Sequence, residues 1–423
     1  MGSGSDGKIV TTTGDTYAIV NRGASSINDV RIGYYNQDGL TLPSGLVVPE
    51  VVVRHPYSVQ TYTHTAVTGG ANVGDMFLVT QGFNKNIHIG RYKATSPVAS
   101  TIVWQRTFTE PVFSPLPLSY LDYNPTSQKL AMLAPGPPGQ SGGLAIWRIN
   151  ADGTGLKRIL INLGNFGLIG RGIVVDDAGA VYVLYSSIGD VLRVTKITSS
   201  NTVAWSKVLL PSTIPPSGVT CCDTNFENGL ARAGDKVYAL GNYHVTSGSG
   251  QIYGLDQATG AAVLHVGLGG ARLNGLVTAV PASAILNFNG VYFYGVSIFS
   301  PFPAVAGLID NVGPTVTWYN RYPSVTGGVG FEGLAQSNFQ LIGLVGATGG
   351  DSKFLYAFAN TGAVALFAGL TPQGDTVDIS GTGASDTFTD ITSRTTPGFF
   401  DCFHILGDSA FAGRTLAYSR CVR

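Results

Sequence analysis

Two short patterns alternate along this chain at intervals of about fifty residues, and a repeat of that period constrains the fold more than any other feature. Thr-(Ile/Val)-x-Trp occurs at Thr101–Trp104, Thr202–Trp205 and Thr315–Trp318, and Thr-Gly at Thr154, Thr259 and Thr361. In order these anchors start at 101, 154, 202, 259, 315 and 361, and the two types alternate strictly. About thirty residues before an anchor stands a Gly or Asn turn followed by an aromatic strand, as in Gly74-Asp-Met-Phe77, Gly179-Ala-Val-Tyr182, Gly234-Asp-Lys-Val-Tyr238 and Asn289-Gly-Val-Tyr292. Period-2 runs such as Val181–Tyr185 read as strands. With a short strand before the turn and another after it, each unit predicts four antiparallel strands.

Composition agrees. Charged residues make up 12%, and Glu stands at only four positions, Glu50, Glu110, Glu227 and Glu332. The chain therefore lacks the residues that normally fill helix surfaces. Hydrophobic residues at 44% supply a large core. Net charge is zero with no Lys/Arg cluster, which argues against a nucleic-acid partner, since phosphate tracking needs a basic face. No run of eighteen apolar residues is present, so no membrane insertion is expected. The opening Met1-Gly-Ser-Gly-Ser-Asp-Gly-Lys8 has no basic segment followed by an apolar one, and its Gly-Ser pattern is compatible with an expression scar.

One four-stranded unit cannot bury both faces of its sheet, so neighbours must stack, and a closed ring removes the ends. The expected fold is all-β, a closed β-propeller of four-stranded antiparallel blades. The stretch Gly172–Tyr185 through Thr202–Lys207, containing Val175-Asp-Asp-Ala-Gly-Ala-Val-Tyr-Val183, resembles the bacterial β-propeller repeat; the regions 60–110 and 225–270 resemble it more loosely. That resemblance implies a fold and carries no activity. Blades are expected near 8–50, 60–110, 117–164, 170–212, 224–270, 277–324, 328–372 and 386–423, forming one domain. Eight blades are favoured by the two-type alternation, with seven plus an extension left open. The last blade has room for three strands, and Ile9–Thr13 is expected to complete it.

Candidate sites are few. Phe226-Glu-Asn-Gly-Leu-Ala231 and Phe331-Glu-Gly-Leu-Ala335 recur two units apart on what should be innermost strands, making Glu227 and Glu332 candidate channel carboxylates. They could hold a metal, a sugar or an amine. The favoured reading is that each accepts backbone N–H bonds from a neighbouring blade, because nothing nearby completes a metal shell. Histidines at 55, 64, 88, 244, 265 and 404 form no zinc-type spacing. No nucleophile elbow, P-loop or dinucleotide fingerprint is present, and no cofactor is expected. Adjacent Cys221 and Cys222 read as two thiols, with a vicinal disulfide as the alternative. Cys402 and Cys421 flank the last turn, and both bridged and free states stay open. Trp104, Trp205 and Trp318 recur with the blade period and read as core. Tyr243, Phe299, Phe302, Tyr319 and Tyr322 are candidate loop aromatics for an interface or for stacking on sugars.

Two functional classes follow. The first is a non-enzymatic structural or attachment component of a large assembly, namely a bacteriophage virion, made in the host cytoplasm and contacting other subunits or a host-surface glycan. The alternative is a bacterial surface or periplasmic propeller that binds or hydrolyses carbohydrate, with its leader absent from this chain. Low charge and scarce Glu favour the first.

Overall fold

The computed structural model describes residues 8–11, 16–22, 28–36, 50–67, 74–82, 84–93, 101–110, 120–134, 143–161, 168–187, 192–209, 220–221, 229–244, 249–279, 289–299, 303–322, 328–336, 340–347, 354–359, 375–378, 386–395, 401–409 and 414–422, with side chains chiefly between 28 and 334. Every regular element among them is a strand. Sheet 1 holds β1 (Lys8–Thr11), β2 (Thr16–Arg22), β3 (Asp29–Asn36) and β4 (Glu50–Arg54). Sheet 2 holds β5 (Val59–Ala66), β6 (Met76–Gly82), β7 (Asn86–Lys93) and β8 (Thr101–Thr109). Sheet 3 holds β9 (Tyr120–Asn124), β10 (Lys129–Ala134), β11 (Leu144–Asn150) and β12 (Lys157–Ile161). Sheet 4 holds β13 (Leu168–Val175), β14 (Val181–Ser187), β15 (Leu192–Ile197) and β16 (Val203–Leu209).

In sheet 5 the first strand is split into β17 (Thr220–Cys221) and β18 (Leu230–Ala233), both pairing with β19 (Lys236–His244), followed by β20 (Ser249–Asp256) and β21 (Ala262–Gly269). Sheet 6 holds β22 (Ala271–Thr278), β23 (Gly290–Ser297), β24 (Ala304–Asp310) and β25 (Thr315–Tyr322). Sheet 7 holds β26 (Gly328–Gln336), β27 (Gln340–Ala347), β28 (Phe354–Ala359) and β29 (Asp375–Asp378). Sheet 8 holds β30 (Asp386–Thr395), β31 (Asp401–Ser409) and β32 (Arg414–Val422). All pairings are antiparallel and, apart from β17 with β19, join strands consecutive in the chain. The first strands touch in succession, β1 to β5, β9, β13, β18, β22, β26 and β30, and β30 returns to β1, which closes the circle.

The core lies between sheets. Phe77 and Val79 of sheet 2 pack with Tyr123, Leu130 and Ile149 of sheet 3, and Tyr182, Val194 and Trp205 of sheet 4 pack with Leu230, Val237 and Tyr253 of sheet 5. Middle strands are buried on both faces, as β6 is along its whole length, while the outer strand β16 buries only Trp205 and Leu209. Each sheet thus satisfies the need for a two-sided cover by using both neighbours.

The two alternating sequence anchors prove to be the halves of one contact. Trp104 Nε1 donates to Ala151 O at 2.9 Å, in the turn that carries Thr154. Trp205 Nε1 donates to Gln257 O at 3.3 Å, in the turn that carries Thr259. Each indole lies over a glycine of the next sheet, Gly153 at φ 82° and Gly260 at φ 69°. A Cβ there would come within 2.6 Å of the Trp104 ring or 2.7 Å of the Trp205 ring, so only glycine fits the left-handed turn beneath the indole. The aromatic after each Gly or Asn turn completes the stack, with Phe77–Trp104, Tyr182–Trp205 and Tyr292–Trp318 centroids at 6.0, 5.8 and 6.3 Å. A cation on the third strand reaches the same kind of turn: Arg91 to Ala151 O, Arg148 to Thr198 O and Lys196 to Gln257 O, at 3.0, 2.8 and 2.7 Å.

Two expectations are corrected. Ile9 and Thr11 do not pair with the last sheet. β1 pairs with β2, Ile9 opposite Ile19, and closes the ring by packing against β30. β2 offers an adjacent partner one short turn away, which costs less closure entropy than reaching the far end of the chain. The sixth sheet begins at Ala271 rather than at 277, because β21 and β22 are separated by Gly270 alone, too short a connection to show as a loop in the sequence.

Candidate binding face and channel

The first strands line the axis, and most carry an irregularity in their pairing. Register shifts fall between Val59 and Thr61, Gly170 and Gly172, Leu273 and Gly275, Phe331 and Gly333, and Phe388 and Asp390. A bulge leaves one residue of the strand unpaired; here those residues are Gln60, Arg171, Asn274, Glu332 and Thr389. Where side chains are described, bulges tie neighbouring first strands together. Asn274 Nδ2 donates to Phe331 O at 2.7 Å, and the Arg171 carbonyl accepts from Gly229 N at 2.9 Å. Glu332 therefore occupies a bulge position on β26, with its side chain outside the described set, and Glu227 lies outside the described residues.

At the other acidic positions the structure supplies roles that spacing did not announce. Glu110, fully buried, accepts from Trp147 Nε1 at 2.7 Å and from Arg158 at 2.6 and 2.8 Å, joining the end of sheet 2 to sheet 3. Asp122 on β9 accepts Val175 N at 2.7 Å, and burial lifts its carboxyl to about 6 against the opposing pull of that N–H and of Arg232. Next to it, Asn124 Nδ2 donates to Val175 O and to Asp177 Oδ1, and Asp177 takes both Arg232 nitrogens at 2.8 and 2.9 Å. That pairing pulls the Asp177 carboxyl down to about 2. Thr278 Oγ1 donates to Arg232 O, so one polar chain links sheets 3, 4, 5 and 6.

His55 and His88 meet edge to face with centroids 4.8 Å apart, between sheets 1 and 2. Their nitrogens face the hydroxyls of Thr80, Thr107 and Tyr92 at 3.1 to 3.4 Å. Burial pushes both imidazoles down to about 4, the two rings further disfavouring a charge on His55. His265 stacks on Tyr253 at 4.5 Å and meets Gln251 Oε1 at 2.9 Å. Among the described residues no three His, Cys, Asp or Glu side chains converge as a metal site would need.

The aromatic candidates divide. Phe299 is 55% exposed at the end of sheet 6. Tyr319 and Tyr322 are corrected: both lie on β25 rather than on a loop. Tyr319 stacks on Phe293 at 6.0 Å, and Tyr322, 6% exposed, packs against Phe331 at 5.6 Å, because β25 runs four residues beyond its Trp and keeps burying side chains. Tyr243 is on β19 opposite Ser249 and Cys221, its side chain outside the described set, and Phe302 lies outside the described residues. Trp104 and Trp205 are buried and Trp318 is packed on the core, as expected. Cys221 ends β17, while Cys222 lies outside the described residues. Cys402 and Cys421 are direct register partners on β31 and β32.

The turns at Asp176–Ala180 and Gln257–Ala261, which join strands within a sheet, are short and internally hydrogen-bonded. Among the segments outside the described residues, 348–353 carries Asp351 and Lys353. By contrast, 111–119, 135–142, 162–167, 188–191, 210–219, 245–248, 300–302 and 323–327 contain no Lys, Arg or Glu, and Asp190 is their single charge. They hold eleven of the 21 prolines, with Ser, Thr, Gly and the aromatics Phe113, Phe166 and Phe302.

No protein-family model matches the chain, and no curated protein matches it in sequence. Among solved structures it is similar to Saccharomyces cerevisiae Sqt1, a β-propeller, with a TM-score of 0.54 and 12% identity over 99% of this chain and 97% of that one. Chaetomium thermophilum Sqt1 follows at TM-score 0.47 and 13% identity over 80% and 79% of the two chains. A Synechocystis apocarotenoid oxygenase variant follows at 0.43 and 10% over 75% and 71%. The first likeness shows the fold alone, a β-propeller; the other two are too loose to carry an argument.

Proposed function

We propose that this chain is a non-enzymatic, protein-binding propeller whose eight sheets are the eight blades of one ring, built from bacterial-type repeats, and that it serves as a structural or attachment component of a bacteriophage virion. Connecting segments poor in charge and rich in proline carry this reading. A partner that docks on such segments desolvates little charge, and proline lowers the entropy lost when loops are fixed, two of the main costs of association. The polar network from Asn124 to Thr278 is internally satisfied and serves the ring itself. Low charge and scarce Glu suit a chain that spends its life packed among other subunits.

The same charge-poor segments, with an exposed aromatic at Phe299, also fit a neutral glycan, and one experiment separates the readings. Wild type, a Tyr243→Ala/Phe299→Ala variant and a Glu227→Gln/Glu332→Gln variant are compared for incorporation into particles and for hydrolysis of a glycan panel. Loss of aromatic anchors should cut incorporation by about tenfold or more, while the Glu variant assembles as wild type. Wild-type hydrolysis abolished by the Glu pair would replace this reading with a carbohydrase.

A further inference from the structure

An outer strand of a propeller blade presents one unpaired row of N–H and C=O groups, and proteins guard such edges with charge, above all with Lys. This chain, poor in charge, guards nearly all of them. β4 carries Arg54, β8 Arg106, β12 Arg158, β16 Lys207 and β25 Arg321, and β29 and β32 carry charges as well. The exception in charge is β21, Ala262-Val-Leu-His-Val-Gly-Leu-Gly269, whose one guard is the bulge at Val263 that it shares in kind with β8, β16 and β25. It pairs with β20 alone among the described residues, runs eight residues and contains no charged or proline residue.

Its side chains leave the edge open. Leu264, Val266 and Leu268 turn inward against the sheet 5–sheet 6 core, and Val263 is 37% exposed. Gly267 and Gly269 project nothing beside the backbone. His265 is stacked on Tyr253 and bonded to Gln251, and burial lowers its pKa, so the strand stays uncharged at neutral pH.

We infer that β21 is a strand-pairing edge and that its occupant is β21 of a second copy of this chain, joined antiparallel about a two-fold axis so that sheet 5 continues across two rings. An incoming strand must be uncharged, because a charge placed on this edge would be desolvated against Val263 and the strand backbone. β21 itself meets that condition. An antiparallel pair of identical segments has the self-complementary symmetry of the commonest dimers, and the zero net charge of the chain leaves two copies without mutual repulsion. Eight residues of edge make a small interface, so the dimer should be weak and form only as concentration rises.

Analytical ultracentrifugation over a series of rising protein concentrations tests it. Wild type should pass from monomer to dimer, and amide exchange should slow along β21 as it does. Val263→Lys installs the missing guard and should leave the protein monomeric, with an unchanged far-UV spectrum showing that it folds. Val203→Lys, at an exposed site on the already guarded β16, should dimerise as wild type does. A monomeric wild type at the highest concentration, or equal disruption by the two lysines, would overturn the inference.

Discussion

Single residues set how this ring responds to acid. His55 and His88 have folded pKa values of about 4 against an ordinary 6.5, so each contributes stability that is complete above pH 6.5 and is lost as pH falls towards 4. The shift amounts to about 3 kcal/mol per imidazole. Asp122, raised to about 6, acts in the opposite sense, its contribution lost as pH rises through 6. Two groups outweigh one, and urea unfolding should show a net loss of stability between pH 6 and 4. A His55→Asn/His88→Asn variant should flatten that slope; an unchanged slope would rule the pair out as its source. Gly260 makes a second residue-scale case. Gly260→Ala forces a left-handed Ala, about 1–2 kcal/mol, and drives a methyl into the Trp205 ring, about 1–3 kcal/mol more. Gly313, where an added methyl would meet nothing within 4 Å, is the matched control. Gly260→Ala should lower the melting temperature clearly and Gly313→Ala hardly at all.

At the scale of elements, sheet 8 differs from its neighbours in having three strands among the described residues, which gives its last hairpin, β31 and β32, a larger share in holding the sheet together. Its register sets Cys402 opposite Cys421. Directly opposed residues on antiparallel strands have Cα atoms about 4.5–5.5 Å apart, inside the range a disulfide spans. We expect the two to bridge when the protein meets an oxidising thiol–disulfide buffer. Peptide mapping without reductant should recover Cys402 and Cys421 linked; full alkylation of both after oxidation would exclude it. The pairing also shows how far a turn signal reaches: the last turn of the sequence placed the hairpin, and the hairpin placed the cysteines.

Across the whole molecule, the sequence by itself determined the fold class, the four-strand unit and the position of the packing tryptophans. These are local or periodic properties: alternation makes strands, Gly and Asn make turns, and a fixed interval between them makes a repeat. It did not say that Thr-x-x-Trp and Thr-Gly are two sides of one seam, because Trp205 stands 52 residues from Gln257 and meets it, and Gly260 beyond it, only when sheets stack. Nor did it reveal that β1 stays with β2, that Glu110 clasps Trp147 and Arg158, or that Tyr322 is core rather than surface. Each of those depends on which side chains face each other across a sheet boundary. Burial and partnership are properties of the stacked ring, so tertiary structure alone decided them.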